Sequence, residues 1–189
     1  VALQIGVNYS NDYSDGIKGT DQDRIGPTRL VASGMASAVA VKNAALLSFG
    51  IACLAGFYLS TRTSYWLIAI GATAIISAWR YTGGENPYGY RGLGEIYVFI
   101  FFGLVATLGT YFSQTGAITV EAIMAAISNG ATSCALLAVN NIRDIEGDSK
   151  VGKRTLAVRL GDTRARRFYM LLIFIAIFSG FIVTILASL

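Results

Sequence analysis

Apolar residues in this chain come in long blocks and do not alternate with polar ones. Residues 36–60 carry one charge, Lys42, near the start of the block. Residues 65–79, 96–120 and 168–189 carry none, and residues 121–142 carry only Glu121. A helix needs roughly 20 apolar residues to cross a bilayer. Four blocks meet that length outright, and 65–79 meets it if its flanks join. Blocks that are apolar all round, without a polar face, belong in lipid or in a large core. The pattern predicts an all-α, polytopic transmembrane bundle.

The polar segments between the blocks complete the outline. Residues 1–13 read as the last turns of a helix. Residues 16–33 read as a loop, broken by Gly16, Gly19, Gly26 and Pro27. One helical hairpin turns at 60–64. A second loop, rich in Gly and Tyr, covers 80–94. Another hairpin turns near 114–119, residues 143–161 form a third polar segment, and a last helix runs to the end. We expect one domain over 1–189, truncated at both ends.

Composition fits this outline. Of the 189 residues, 54% are hydrophobic and only 14% charged, against about 25% charged in an ordinary soluble domain. The net charge is +4, but its placement says more than its sign. Of the 15 Lys and Arg, 14 fall in or beside 16–42, 80–95 and 143–167, and the other is Arg62. With alternating spans those three segments share one face, which the positive-inside rule makes cytoplasmic. The basic charge therefore does not point to nucleic acid, and no obligate protein partner is evident. There is no histidine, so histidine chemistry and histidine metal sites are excluded. Cys53 and Cys134 lie inside apolar blocks, with neither a disulfide framework nor metal-ligand spacing.

Two acidic motifs stand out. The first is NDYSDGIKGTDQDR, residues 11–24. Asn11 and Asp15 are four apart and share a helical face, Asp12 sits beside them, and Asp21 and Asp23 follow. The second is NNIRDIEGDSKVGKRTL, residues 140–156. There Asn140, Asp144 and Asp148 would form an i, i+4, i+8 stripe. Acidic residues at membrane depth cost about 2.5–3.5 kcal/mol each on insertion scales, so such stripes call for a cation. A set of oxygen ligands (Asn11, Asp12, Asp15, Asp21, Asn140, Asp144, Asp148) suits a hard ion, Mg²⁺ or Ca²⁺. Basic residues follow each motif: Arg24 and Arg29 after the first, Lys150, Lys153 and Arg154 after the second. Carboxylates beside cations are what a metal-bridged diphosphate requires. A solvated loop with ordinary interfacial charges would explain one such motif, but not two on one face, each followed by basic residues.

At these residues the sequence resembles the UbiA superfamily of intramembrane prenyltransferases. Within it the branch that prenylates 1,4-dihydroxy-2-naphthoate in menaquinone synthesis is the most similar. The stretches that carry the resemblance are NYSNDYSDGIKGTD with DRIGPTRLVASG, YTGGENPYGYRGLGE, and NNIRDIEGDSKVGKRTLAVRLG. The resemblance implies nine transmembrane helices around a cavity. This chain would supply the end of the second through the seventh. Asn11 and Asp15 match the first two positions of an Asn-x-x-x-Asp-x-x-x-Asp motif. Gly19 departs from the third, and Asp21 matches the aspartate that the naphthoate branch places two residues on. Asp144 and Asp148 match the second aspartate motif, and Lys153 and Arg154 lie where the family has basic residues near the diphosphate. Tyr81, Tyr88 and Arg91 lie in the loop that covers the family's active site.

The implied chemistry is Mg²⁺-dependent transfer of a polyprenyl group from its diphosphate to dihydroxynaphthoate, with loss of carbon dioxide, in a bacterial plasma membrane. Demethylmenaquinone would be the product. Asn11, Asp15, Asp144 and Asp148 would be catalytic, with Tyr81 and Tyr88 facing the allylic cation. Most tyrosines of this face, however, suit interfacial anchoring. Lys42 reads as a snorkelling lysine, and Arg164, Arg166 and Arg167 as lipid-facing. Two alternatives stay open: another aromatic acceptor (4-hydroxybenzoate, homogentisate), or an ion-coupled transporter. The latter predicts polar residues at mid-span.

Overall fold

A computed structural model describes residues 1–20 and 26–188. Every regular element among them is helical: α1 (Ala2–Lys18), α2 (Ala38–Arg62), α3 (Trp66–Arg80), α4 (Gly94–Val98), α5 (Ala106–Thr115), α6 (Val120–Arg143), α7 (Ile145–Lys150), α8 (Leu156–Leu160) and α9 (Asp162–Leu186). A 3₁₀ turn at Tyr88–Arg91 precedes α4, and a π-helical stretch at Phe99–Val105 joins α4 to α5. Four helical stretches among the described residues are long and apolar enough to cross a membrane: Ala38–Arg62, Gly94–Thr115, Val120–Arg143 and Asp162–Leu186. The block at 65–79 becomes α3, a shorter apolar helix of 15 residues.

Helix ends follow the side chains available. Ser37 and Thr119 cap α2 and α6, accepting from the amides of Ala40 and Ala122, as N-cap hydroxyls do. Gly19 and Gly116 end α1 and α5 in the left-handed conformation, φ 69° and 72°. Two expectations are corrected here. The first helix does not stop at residue 13 but runs to Lys18, and Gly16 breaks nothing. It lies inside α1, where a Cβ would come within 2.6 Å of Val31. Its hydrogen side chain admits Val31 to the helix. Nor is Asn140–Asp144–Asp148 a stripe on one helix. α6 ends at Arg143, Asp144 leaves helical geometry at φ −93°, ψ 5°, and Asp148 belongs to α7.

The chain forms two compact units. The first comprises Val1–Arg91 with Gly147–Lys153. Its core is Ala45, Phe49 and Ala78, with Leu3, Val7, Tyr9, Ile75 and Trp79 packed around them. Gly6 lets the Phe49 ring lie directly on α1. An apolar cleft of about 520 Å³ lies between α2 and α3, lined by Leu46, Phe49, Ile75, Ile76 and Trp79 with Arg80 at one end.

The second unit comprises Gly92–Glu146 with Arg154–Leu189. One face of α6 is small throughout: Ala122, Ala126, Gly130, Ala131, Cys134, Ala135 and Ala138 are all buried. Small residues let helices approach closely, the main source of association inside a bilayer. α9 uses that face, placing Leu172 against Cys134, Ala135 and Ala138, and Ser128 donates to the Ala176 carbonyl at 2.8 Å. The π-helical stretch meets the same helix so closely that a Cβ on Gly103 would lie 2.5 Å from the Gly130 Cα. Asn129 donates across to the Phe102 carbonyl at 2.9 Å and to Thr107 at 3.1 Å, satisfying backbone that a π turn leaves out of α-helical register.

Because the obstacle is backbone, Gly103→Ala should destabilise the protein by about 1–3 kcal/mol. The expected sign is a lowered unfolding midpoint in mixed micelles.

Candidate diphosphate and metal site

In the first unit, the last two turns of α1 turn polar, and four of their side chains are buried: Ser10, Asp12, Ser14 and Asp15. Ser10 is buried and donates its hydroxyl to the Val7 carbonyl of its own helix at 3.0 Å. Asn11 accepts a hydrogen bond from the Thr82 hydroxyl at 3.0 Å. Asp12 faces the following loop, and its two oxygens accept from the amides of Leu30 and Val31 at 2.8 and 3.0 Å. Its carboxylate thereby anchors the loop that leads into α2.

Asp15 is the centre of the arrangement. Its Oδ1 accepts from the Tyr90 hydroxyl at 2.7 Å. Its Oδ2 faces the Lys153 ammonium at 3.4 Å, which also lies 3.8 Å from Asp148 Oδ1. One lysine thus stands between a carboxylate of each acidic motif. Tyr90 contributes its ring face as well, with Lys153 Nζ 4.9 Å and Lys18 Nζ 5.0 Å from its centroid, within cation–π range. Lys18 reaches the loop after α3 and donates to the carbonyls of Thr82 at 2.6 Å and Gly84 at 2.9 Å. Burial holds its pKa below the ordinary lysine value. The nearby charge of Lys153 adds to that depression, while Asp15 opposes it.

Among the described residues, no three His, Cys, Asp or Glu side chains gather closely enough to hold a metal alone. Asp15 and Asp148, whose oxygens both face Lys153, are the two carboxylates that could hold a hard ion such as Mg²⁺, which commonly takes one or two carboxylates and fills its shell with water and phosphates.

The UbiA prenyltransferase family matches residues 1–189. The chain belongs to that family. It is 52% identical over 176 residues to the 1,4-dihydroxy-2-naphthoate octaprenyltransferase of Mycobacterium tuberculosis, covering 93% of this chain and 60% of that protein. To the Escherichia coli protein of the same name it is 39% identical over 178 residues, covering 90% and 58%. To UbiA prenyltransferase domain-containing protein 1 of Gallus gallus it is 30% identical over 170 residues, covering 89% and 51%. The chain spans about three fifths of the length of the naphthoate relatives named. No solved structure matches it significantly. As a UbiA family member with four apolar spans, it is an integral membrane protein.

The other expected residues are placed as follows. Asp21, Asp23 and Arg24 lie outside the described residues. Arg29 sits in the loop that Asp12 anchors, its carbonyl accepting from Ser33 at 2.6 Å. Tyr81 and Tyr88 pack edge to face, 5.5 Å apart, and the Tyr88 hydroxyl donates to the Ser77 carbonyl at 2.8 Å. Lys42 lies 5.8 Å from the Tyr13 ring. Asn140, Asp144 and Arg154 belong to the second unit. There Asp144 is held by Arg143 through two contacts of 2.7 Å, and Arg154 is exposed.

Sequence reasoning missed Tyr90 and Lys18, the two side chains that flank Asp15 together with Lys153. A signal for Lys18 was present: a lysine one helical turn after Asp15 falls on the same face. It also missed Glu95, a buried acid at the start of α4 that accepts from the Asn141 amide at 3.0 Å.

Asp12→Ala should leave the Leu30 and Val31 amides without their charged acceptor. We expect their hydrogen exchange to speed up by about tenfold or more, with α6 and α9 unaffected.

Proposed function

We propose that the full-length protein transfers a polyprenyl group from an allylic polyprenyl diphosphate to 1,4-dihydroxy-2-naphthoate, with loss of the naphthoate carboxylate as carbon dioxide. The observation that carries this reading is the meeting of Asp15 and Asp148 at one cation, Lys153, beside Tyr90 and Lys18. The names of the relatives supply the acceptor.

Mg²⁺ held by Asp15 and Asp148 would neutralise charge on the departing diphosphate. The chain's own residues do the rest. Lys153 and Lys18 present ammonium groups to the phosphate oxygens, and Tyr90 holds Asp15 in orientation through its hydroxyl. The bond between the allylic carbon and the diphosphate oxygen breaks with both electrons leaving on the oxygen. The ring carbon that bears the carboxylate then attacks the allylic cation, and its bond to the carboxylate breaks, releasing carbon dioxide and returning the electron pair to the ring, which regains aromaticity in its dihydroxy form. Water must be kept from the cation, which the apolar spans favour. Asn140 and Asp144 stay in the reading through their sequence motif alone. We place the site on the cytoplasmic face of a bacterial plasma membrane, because the basic residues concentrate on the motif side.

The test is prenyl transfer by the full-length parent in membranes, supplied with polyprenyl diphosphate, Mg²⁺ and dihydroxynaphthoate, following product and carbon dioxide. We expect EDTA to abolish product, and Asp15→Asn and Asp148→Asn each to lower turnover by about a hundredfold or more. Tyr90→Phe should cost about tenfold, as loss of a partner that orients a ligand does. Product with 4-hydroxybenzoate or homogentisate alone would move the acceptor. No product with any aromatic acceptor would favour a transporter.

Lys18 generates a pH prediction. Because burial lowers its pKa, it loses its proton earlier than an ordinary lysine as pH rises, and with it the positive charge beside Asp15. Activity should therefore fall on the alkaline side, and Lys18→Arg should carry that limb to higher pH, since guanidinium keeps its proton.

A further inference from the structure

Glu95 is a buried acid that the reaction above does not use. It stands at the start of the Gly94–Thr115 span, and α6 holds it at two points. The Cys134 thiol donates to the Glu95 carbonyl at 3.0 Å, and the Asn141 side chain donates to Glu95 Oε1 at 3.0 Å. Cys134 and Asn141 stand about two helical turns apart on α6, so both fall on the one face that meets this span. Two contacts so spaced fix how far α6 lies along its neighbour and how it is turned about its own axis.

The same end of α6 carries two members of the second acidic motif. The Asp144 amide donates to the Asn140 carbonyl at 3.1 Å, so the turn that Asn141 aims also carries Asn140 and Asp144. The chain that returns after the motif rests beside the same segment. Gly92, at φ 68°, lies so close to it that a Cβ would come within 3.0 Å of the Arg159 side chain and 3.2 Å of the Arg154 carbonyl. Arg159 Nε donates to that carbonyl at 3.2 Å. Residues 92–95 therefore support the chain both where it leaves α6 and where it comes back.

Resting on the reading above, we propose that Glu95 is a positioning residue for prenyl transfer: through Asn141 it sets the rotation of the end of α6, and with it the aim of Asn140 and Asp144 at the diphosphate. The two neighbouring asparagines of the motif then divide the work. Asn141 serves Glu95, and Asn140, about 100° away round the helix, serves the site. What Asn141 needs from residue 95 is an acceptor oxygen. Glutamine supplies one and leucine does not.

The test uses the full-length parent in nanodiscs with two variants. Glu95→Gln keeps an acceptor for Asn141. Glu95→Leu combined with Asn141→Leu makes both partners apolar and leaves neither buried without its bond, so its unfolding midpoint should stay close to that of the wild type. In the double variant we expect KM for the polyprenyl diphosphate to rise about tenfold or more, as when an orienting partner is lost, with KM for dihydroxynaphthoate unchanged. A merely structural part would reduce the amount of active protein, and so kcat, while leaving both KM values alone. Glu95→Gln should match the wild type. Hydrogen exchange at the Asp144 amide gives a readout that needs no reaction: it should quicken in the double variant and not in Glu95→Gln. An unchanged diphosphate KM in the double variant would overturn the proposal, and so would unchanged exchange at Asp144. A Glu95→Gln variant as impaired as the double one would overturn it too, since the acceptor oxygen would then not be what matters. Quickened exchange in a parent whose wild type transfers no prenyl group would uphold the hold of Glu95 on α6 and remove only the prenyl-transfer reading.

Discussion

Charge compensation at the ends of apolar helices is the constraint on which this structure depends. A carboxylate near hydrocarbon is tolerable only with a partner, and α1 places Asp12 and Asp15 within one turn of each other. The two acids are satisfied by different means. Asp12 takes two backbone amides and becomes structural. Asp15 takes a phenol and an ammonium. Two residues of one chemical type on one helix are thereby satisfied in different ways by what the rest of the chain offers them.

Tyr90 ties this arrangement together. Its hydroxyl fixes one oxygen of Asp15 while its ring face supports both nearby lysines. An aromatic ring adds attraction for a cation without adding an anion, so it steadies two ammonium groups beside a carboxylate without adding charge. Phenylalanine would keep the face and lose the anchor.

The apolar architecture was legible because block length alone sets whether a helix can span. Residues 36–60, 96–120, 121–142 and 168–189 overlap the four apolar spans, and the family follows from the motifs. Helix boundaries were less legible. Gly16 looks like a breaker until Val31 is seen packed on it, and the break after Arg143 is set by the local geometry of Asp144. The partners of Asp15 were not legible for a different reason. Tyr90 is 75 residues away and Lys153 is 138, and spacing along a chain carries no signal about contacts that folding makes at such distances. Of several tyrosines on one face, nothing in sequence singles out the one whose hydroxyl reaches the acid.

The π-helical stretch at Phe99–Val105 has a genetic consequence. A π turn holds one more residue than the α turn it replaces, and each residue of a helix advances its faces by about 100°. Deleting a single codon there would let the span close into regular α-helix while Gly94–Val98 and Ala106–Thr115 keep their facing, because the wide turn already absorbs the extra residue. Glu95 would keep Asn141, and the carbonyl that Asn129 now serves would return to its own helix. A one-residue deletion elsewhere in the same span has no such slack and would turn half a helix by about 100°.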